Sequence, residues 1–206
     1  MRLRKGIWTC LVVLAGLGLA WRVQADAASE MTRLAELMQW KTGTVVADIG
    51  AGDGQYSFAA ERLVGASGKV FATEIDQKKI EELRAEVKKR GLKNVEVVVS
   101  ADAKTNLAAE CCDVIFLRRV YHHLTKPEEF DADMARALKP GGRVAVIDFP
   151  ARAGLDPVEG VPANRGGHGI PEKVVIEELK AAGLVMEKTD ESWPEGSYCV
   201  VMKKAK

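Results

Sequence analysis

Residues 45–57 read Val-Val-Ala-Asp-Ile-Gly-Ala-Gly-Asp-Gly-Gln-Tyr-Ser. An apolar run closes with an acid, Asp48, and with three alternating glycines, Gly50, Gly52 and Gly54, before a helix-compatible pattern begins. Because glycine tolerates positive φ angles and has no side chain, the pattern predicts a buried strand that turns sharply into a helix. A flat ligand can approach the bare backbone of such a turn closely.

The glycine spacing bears on which ligand this turn would hold. The dinucleotide fingerprint is G-x-G-x-x-G, whereas this chain has G-x-G-x-G and carries Gln55 directly after the third glycine. A nicotinamide-dependent reductase is therefore the weaker hypothesis. A purely structural turn is the alternative for the three glycines taken alone.

Two further apolar runs also end in carboxylates. Glu74 closes the second run, about 20 residues downstream of the glycine turn, where a carboxylate that binds ribose hydroxyls stands in a strand-helix-strand unit. Asp102 follows the third run, Val95–Val99, in the segment Ser100-Ala101-Asp102-Ala103. Because the carboxyl ends of parallel strands share one edge of a sheet, these acids predict one ligand that spans several loops.

These residues resemble the class I S-adenosylmethionine-dependent methyltransferases, of the small single-domain type related to quinone and small-molecule methylating enzymes. The resemblance covers roughly residues 30–203. Residues 112–117 look like the fourth strand of that family, and residues 138–142 like the turn that enters the fifth. The resemblance implies an α/β, Rossmann-like fold with a mostly parallel sheet of seven strands, helices on both faces and an antiparallel last strand.

The resemblance also implies S-adenosyl-L-methionine as the cofactor. The loop 48–54 would hold its methionine part, Glu74 the ribose hydroxyls and Asp102 the adenine amino group. The full set of expected cofactor-binding residues is Asp48, Gly50, Ala51, Gly52, Gly54, Glu74, Ile75, Asp102, Ala103 and Arg118. The implied reaction is methyl transfer to an oxygen, sulfur or carbon nucleophile of a small molecule. The alternative is a non-catalytic, exported module that binds a nucleoside-like ligand.

The segment Arg118-Arg119-Val120-Tyr121-His122-His123 follows the fourth strand and, in the family that the chain resembles, faces the transferable methyl group. His122 or His123 could deprotonate a hydroxyl or a thiol near neutral pH, although many family members carry a histidine here that only braces the loop. We expect His123 to brace and His122 to be the active one, with Tyr121 as a substrate contact. Neither Asn nor Pro follows this strand, which disfavours methylation of the amines of DNA bases.

Residues 149–170 form a stretch of about 20 residues rich in glycine and proline, which is uncommon inside a compact domain unless it is a lid or a binding loop. We expect it to be the substrate gate. Its Arg152, Arg165 and His168 could bind a carboxylate or a phosphate. Solvated loop charges are the alternative for these three side chains.

The rest of the chain alternates between strand and helix patterns. Expected strands lie near 44–49, 69–74, 94–99, 112–117, 142–148, 184–187 and 198–202, and expected helices near 55–64, 77–90, 127–138 and 171–182. An amphipathic helix that contains Met31 and Leu34 precedes them.

Composition and charge suit this interpretation. The chain has 206 residues, of which 47% are hydrophobic and 29% charged, as expected for a globular domain with a full core. A formal net charge of +1 gives no reason to expect a nucleic acid or an anionic membrane surface as a partner, so a small-molecule substrate is the expected partner. No Cys/His spacing typical of a metal site occurs, and no metal is expected.

The first 27 residues have a composition of their own, with a basic start, a short apolar run over 7–21 and the small residues Ala25-Asp26-Ala27. This pattern predicts a secretory signal or membrane-targeting segment over 1–27, followed by a methyltransferase domain over 28–206. The apolar run is shorter than the roughly 20 residues that a bilayer span needs, so no stable span is expected after processing. The protein would then be periplasmic or secreted. Translation from Met31 would instead make it cytoplasmic, where the methyl donor is made.

Overall fold

The computed structural model describes residues 26–152 and 154–206, so most of the expected leader lies outside the described residues. The strands are β1 (Val45–Ile49), β2 (Lys69–Glu74), β3 (Val95–Val99), β4 (Cys112–Arg118), β5 (Leu138–Asp148), β6 (Leu184–Trp193) and β7 (Ser197–Lys204). The helices are α1 (26–38), α2 (Gln55–Val64), α3 (Gln77–Arg90), α4 (Pro127–Ala137) and α5 (Glu172–Ala181). Short 3₁₀ turns occur at Tyr121–His123, Ala163–Arg165 and Pro194–Gly196.

The seven strands form one sheet in the order β3-β2-β1-β4-β5-β7-β6. Strands β1 to β5 pair in parallel, whereas β7 runs antiparallel to both of its neighbours. The order reverses between β1 and β4, and in open α/β sheets the crevice at such a switch point is where ligands bind. The expected fold, a mostly parallel Rossmann-like sheet with an antiparallel last strand, is confirmed.

Alternating residues of the central strands build two separate cores. On one face, Ile115 and Val146 pack with residues of α4 and α5; on the other, Val46 and Phe116 pack with residues of α1, α2 and α3. This two-residue period is a consequence of the pleat, which sends successive side chains to opposite faces. Helices on both faces explain why β1 and β4 are nearly continuous apolar runs.

The last strands are longer than the sequence patterns indicate. β5 begins at Leu138 instead of residue 142, and β6 continues to Trp193 instead of ending at residue 187. Residues 188–192 of β6 are polar or charged, so no apolar alternation announces them. Hydrogen bonding to β7 makes them a strand, and their charges suit an edge that must not pair with another chain.

The expected gate, residues 149–170, has no regular structure in its described part apart from the 3₁₀ turn Ala163–Arg165. It lies directly after β5 and leads into α5. Among the described helices, none combines the length and the apolar character that crossing a membrane requires.

Candidate functional site

The turn between β1 and α2 is built from three glycines with positive φ. The angles are 73° at Gly50, 58° at Gly52 and 80° at Gly54. A Cβ atom at Gly50 would lie 2.5 Å from Val120, and one at Gly54 would lie 2.4 Å from Leu83, so close packing excludes side chains at both. A Cβ at Gly52 would meet no atom within 4 Å. The middle glycine therefore borders open space beside the turn.

The Glu74 carboxylate ties the end of β2 to this turn. Its Oε2 accepts a hydrogen bond from the backbone N–H of Gly52 at 2.8 Å, and Oε1 accepts from Ile75 at 2.8 Å and Asp76 at 3.0 Å. The side chain is buried and its direction is fixed by these contacts. A carboxylate offers about four acceptor positions, so Glu74 retains capacity for a ligand hydroxyl.

A cavity of about 460 Å³ opens between the ends of β1, β2, β3 and β4. Its size falls within the roughly 300–1,000 Å³ range of ligand pockets. Five of the expected cofactor-binding residues line it, namely Gly50, Glu74, Ile75, Asp102 and Arg118. Asp48, Ala51, Gly52, Gly54 and Ala103 are not in its wall.

The cavity also has an apolar wall that the sequence analysis did not anticipate. Leu124 and Phe130, from the segment after β4 and from α4, line it together with the acids Glu74 and Asp102. A ligand with a hydroxylated ribose and a flat apolar base matches such a combination, since carboxylates suit the hydroxyls and amino group and apolar side chains suit the ring. The residues present therefore fit an adenosyl group.

Asp48 lies behind the turn and not in the cavity wall. Its Oδ2 accepts a hydrogen bond from Ser57 Oγ at 2.6 Å, which joins the end of β1 to α2. Burial raises the pKa of the Asp48 carboxyl to about 7, although the Ser57 hydroxyl opposes the shift. The resemblance implies that Asp48 helps to bind the cofactor; in the structure its side chain joins β1 to α2 through Ser57.

A second cavity of about 430 Å³ adjoins the first, and Arg118 and Arg119 line both. Its wall includes Glu30, a buried side chain of α1 that accepts hydrogen bonds from Tyr56 Oη at 2.9 Å, Arg118 Nε at 2.9 Å and Trp193 Nε1 at 2.7 Å. Glu30 thus connects α1 to three other segments. No local motif marks Glu30, so its role could not be predicted from the sequence.

The two adjacent histidines have different surroundings. His122 is buried, with Nδ1 2.8 Å from Asp148 Oδ1, and its backbone N–H donates to Asp148 Oδ2 at 3.1 Å. His123 is exposed and lines the first cavity. Partial burial of its ring, and then the neighbouring His122, lower the pKa of His123. The bracing contact expected of His123 therefore belongs to His122, and His123 is the histidine at the cavity.

Two of the four expected substrate contacts lie in the interior. Tyr121 is buried, and its hydroxyl donates to Asp131 Oδ2 at 2.6 Å. Arg165 is only 1% exposed; its guanidinium pairs with Glu178 and donates to the carbonyl oxygens of Tyr121 and Leu124. Both side chains anchor the loops that carry them.

The other two expected substrate contacts gather around Phe149, the first residue after β5. The Arg152 guanidinium lies 4.5 Å from the centroid of the Phe149 ring, and the His168 ring stacks against it at 6.1 Å. The Arg152 backbone N–H donates to the His168 carbonyl oxygen at 3.0 Å, which closes this part of the gate. The gate therefore places a guanidinium and an imidazole close to His122 and His123.

Comparison with known proteins bears on the identity of this site. A family model described as a methyltransferase domain matches residues 47–146. The ubiquinone/menaquinone biosynthesis C-methyltransferase UbiE of Azotobacter vinelandii is 34% identical over 115 residues, which are 55% of this chain and 46% of that protein. The aklanonic acid methyltransferase DauC of Streptomyces sp. strain C5 is 33% identical over 127 residues, which are 61% of this chain and 57% of that protein.

The same fold occurs in a solved structure of similar size. The crystal structure of a SAM dependent methyltransferase from Aquifex aeolicus has a TM-score of 0.72 and 28% sequence identity, and the match covers 84% of this chain and 88% of that one. The chain spans about half the length of the curated relatives that it matches. The sheet order, the glycine turn and the Glu74 carboxylate, together with the methyltransferase domain matched over residues 47–146, support a class I S-adenosylmethionine-dependent methyltransferase.

Proposed function

We propose that this protein transfers a methyl group from S-adenosyl-L-methionine to a small-molecule acceptor. The observation that carries the proposal is the cavity of about 460 Å³ in which the glycine turn, the buried Glu74 and an apolar wall face one another. The cofactor, when bound, supplies an electrophilic methyl group on a sulfonium. The residues of the chain then bind and orient the cofactor and the acceptor, and they exclude water from the site.

The chain has a suitable side chain for each of these tasks. Glu74 accepts hydrogen bonds from ribose hydroxyls, and Asp102 accepts from the adenine amino group. Leu124 and Phe130 keep water from the cavity, which matters because methyl transfer depends mainly on alignment of the nucleophile and on a dry site. His123, whose pKa is lowered, is neutral near pH 7 and can accept a proton from an acceptor hydroxyl or thiol at a ring nitrogen.

Calorimetry with S-adenosylhomocysteine tests the cofactor assignment. Glu74→Gln should weaken binding about 10- to 100-fold, because the variant loses the charge of a hydrogen-bonding partner of the ribose. Glu82→Gln, at an exposed position of α3, is the matched control and should bind like the wild type. Unchanged affinity in Glu74→Gln would contradict the assignment, and equal affinity for a nicotinamide dinucleotide would favour a reductase.

Turnover separates an enzyme from a binding module. The wild-type protein, labelled donor and a small-molecule extract of the native host should together form S-adenosylhomocysteine and a labelled product. Binding of the donor without any labelled product would instead favour the exported, non-catalytic module.

We propose in addition that the protein is exported. Support comes from Glu30, which precedes Met31 and is hydrogen-bonded to three segments of the domain. A chain that starts at Met31 would lack Glu30, whereas removal of residues 1–27 retains it. Mass spectrometry of protein purified from its native host should find an amino terminus before Glu30, and one at Met31 would favour the cytoplasmic alternative.

A further inference from the structure

Cationic side chains from two separate segments converge next to the cofactor cavity. The Arg119 guanidinium, just after β4, lies 5.7 Å from the centroid of the Phe149 ring, on which Arg152 also packs at 4.5 Å. His168 stacks on the same ring and lies 5.4 Å from the ring of His122, centroid to centroid. We call Arg119 and Arg152, beside which His168 lies, the cationic cluster.

Among the described residues, one carboxylate lies within ion-pair distance of the cationic cluster, and it belongs to an exposed side chain. Glu195, at the turn between β6 and β7, has its Oε2 2.7 Å from a terminal nitrogen of Arg119 and 3.3 Å from one of Arg118. Its side chain is 60% exposed. Asp148, another acid near Phe149, is fully buried and accepts hydrogen bonds from the backbone N–H groups of His122 and Phe149.

Some guanidinium N–H groups of the cluster lack a close hydrogen-bond acceptor in the described part of the chain. Arg119 Nε is buried and has no hydrogen-bond partner among the described residues. Within residues 26–152 and 154–206, the Arg152 guanidinium donates one long hydrogen bond, of 3.4 Å, to the carbonyl oxygen of Glu195. An unpaired donor of a charged group is costly when buried, and an oxyanion is the ligand that a planar guanidinium pairs with best.

We propose that the cationic cluster binds an oxyanion of the methyl acceptor, a carboxylate or a phosphate, and that this group displaces the Glu195 carboxylate. The proposal rests on the proposed function, because it names the class of acceptor for the same site. Arg119 lines the cofactor cavity, so an anion held by it lies beside the place of methyl transfer. Glu195 neutralises the cluster until an acidic acceptor replaces it.

Sodium acetate and sodium phosphate are the probes. Each is titrated into the protein at constant ionic strength, with and without S-adenosylhomocysteine, and sodium chloride is the reference salt. The readout is the NMR signal of the arginine side-chain Nε–Hε groups, since Arg119 Nε has no partner before binding. We expect saturable shifts for Arg119 and Arg152. The anion that saturates them at the lower concentration identifies the group as a carboxylate or a phosphate.

Three variants make the test specific. Glu195→Gln should bind the anion at least about threefold more tightly, because the internal competitor loses its charge, and Arg152→Gln should bind about tenfold more weakly. Arg84→Gln, on the exposed face of α3, is the control and should match the wild type. Shifts that equal those of chloride, or affinities that Arg152→Gln or Glu195→Gln leaves unchanged, would overturn the proposal.

Cofactor binding, measured by calorimetry on the same samples, keeps the two hypotheses apart. If S-adenosylhomocysteine binds and the anions do not, only the anionic acceptor is wrong. If S-adenosylhomocysteine does not bind, the proposed methyl transfer fails, whatever the anions do.

Discussion

Asp48 shows how a single residue couples this fold to pH. Its folded-state pKa of about 7 lies above the ordinary value of 3.8, so between these values the folded protein binds more protons than the unfolded chain. The contribution of Asp48 to stability is therefore largest at low pH and is lost as pH rises through about 7. Burial also raises the pKa of Asp131 to about 7, which adds a second group with the same sign.

Asp48→Asn should flatten the pH dependence of stability. The amide does not titrate, so the free energy of unfolding should lose a slope of up to about 1.4 kcal/mol per pH unit between pH 5 and pH 7. Urea denaturation at several pH values measures this slope. Asp156→Asn, in the exposed part of the gate, should keep the wild-type slope. An Asp48→Asn variant with the wild-type slope would show that the carboxyl is ionised throughout.

Gly52 and Gly91 form a matched pair for testing the glycine turn. Both have positive φ, 58° and 66°, and an added Cβ would meet no atom within 4 Å at either position. Alanine should therefore cost each folded protein a similar amount, about 1 kcal/mol or somewhat more. Gly52 donates its backbone N–H to Glu74, which lines the cavity, whereas Gly91 caps α3. Gly52→Ala should therefore weaken S-adenosylhomocysteine binding about tenfold or more, while Gly91→Ala binds normally. Equal calorimetric affinities would place the ligand elsewhere.

At the scale of elements, buried ion pairs and hydrogen bonds join segments that the sheet alone leaves separate. Glu30 connects α1 to the end of β4, and His122 connects the segment after β4 to Asp148 at the end of β5. Such contacts fix the loops that border the cavities. Tyr121 and Arg165 have the same role, which explains why these residues, expected at the substrate, lie in the interior.

Glu30→Ala should destabilise the domain much more than Glu36→Ala on the same helix. Removal of Glu30 leaves Arg118, whose side chain is 17% exposed, with the exposed Glu195 as its remaining ion-pair partner. Breaking a buried ion pair costs about 3–5 kcal/mol, and the contact with Glu195 should reduce that cost here to about 2–4 kcal/mol. Glu36 is exposed, so its substitution should change the unfolding free energy by less than about 0.5 kcal/mol. Guanidinium denaturation compares the two. Similar losses would mean that α1 is held by its apolar side chains alone.

Element boundaries were predictable where apolar patterns are strong and local. The bounds of β1, β2, α2 and α3 agree with the expected ranges to within one residue. β6 was expected to be short because residues 188–192 carry no apolar alternation, and its extension depends on backbone hydrogen bonds to β7. A partner strand can thus impose extended structure on a segment whose own pattern does not indicate it.

At the scale of the whole molecule, the two cores keep the strands in register, so the carboxyl ends of β1 to β4 surround one cavity. Arg118 and Arg119 line both this cavity and its neighbour, so the proposed anion site lies beside the cofactor site. The arrangement requires segments from α1, β4, the gate and the β6–β7 turn to meet. No local stretch of sequence indicates that these segments are in contact.

The sequence by itself determined the class of fold, the glycine turn and the acids at successive strand ends, because apolar periodicity, glycine conformation and the alternation of strands and helices are read from short stretches of the chain. Only the tertiary structure decided which histidine is braced, that Glu30 pairs with Arg118 across 88 residues, and that Arg119 and Arg152 meet at Phe149. Those outcomes depend on the packing of distant segments, where burial and pairing of charges choose among many candidate partners.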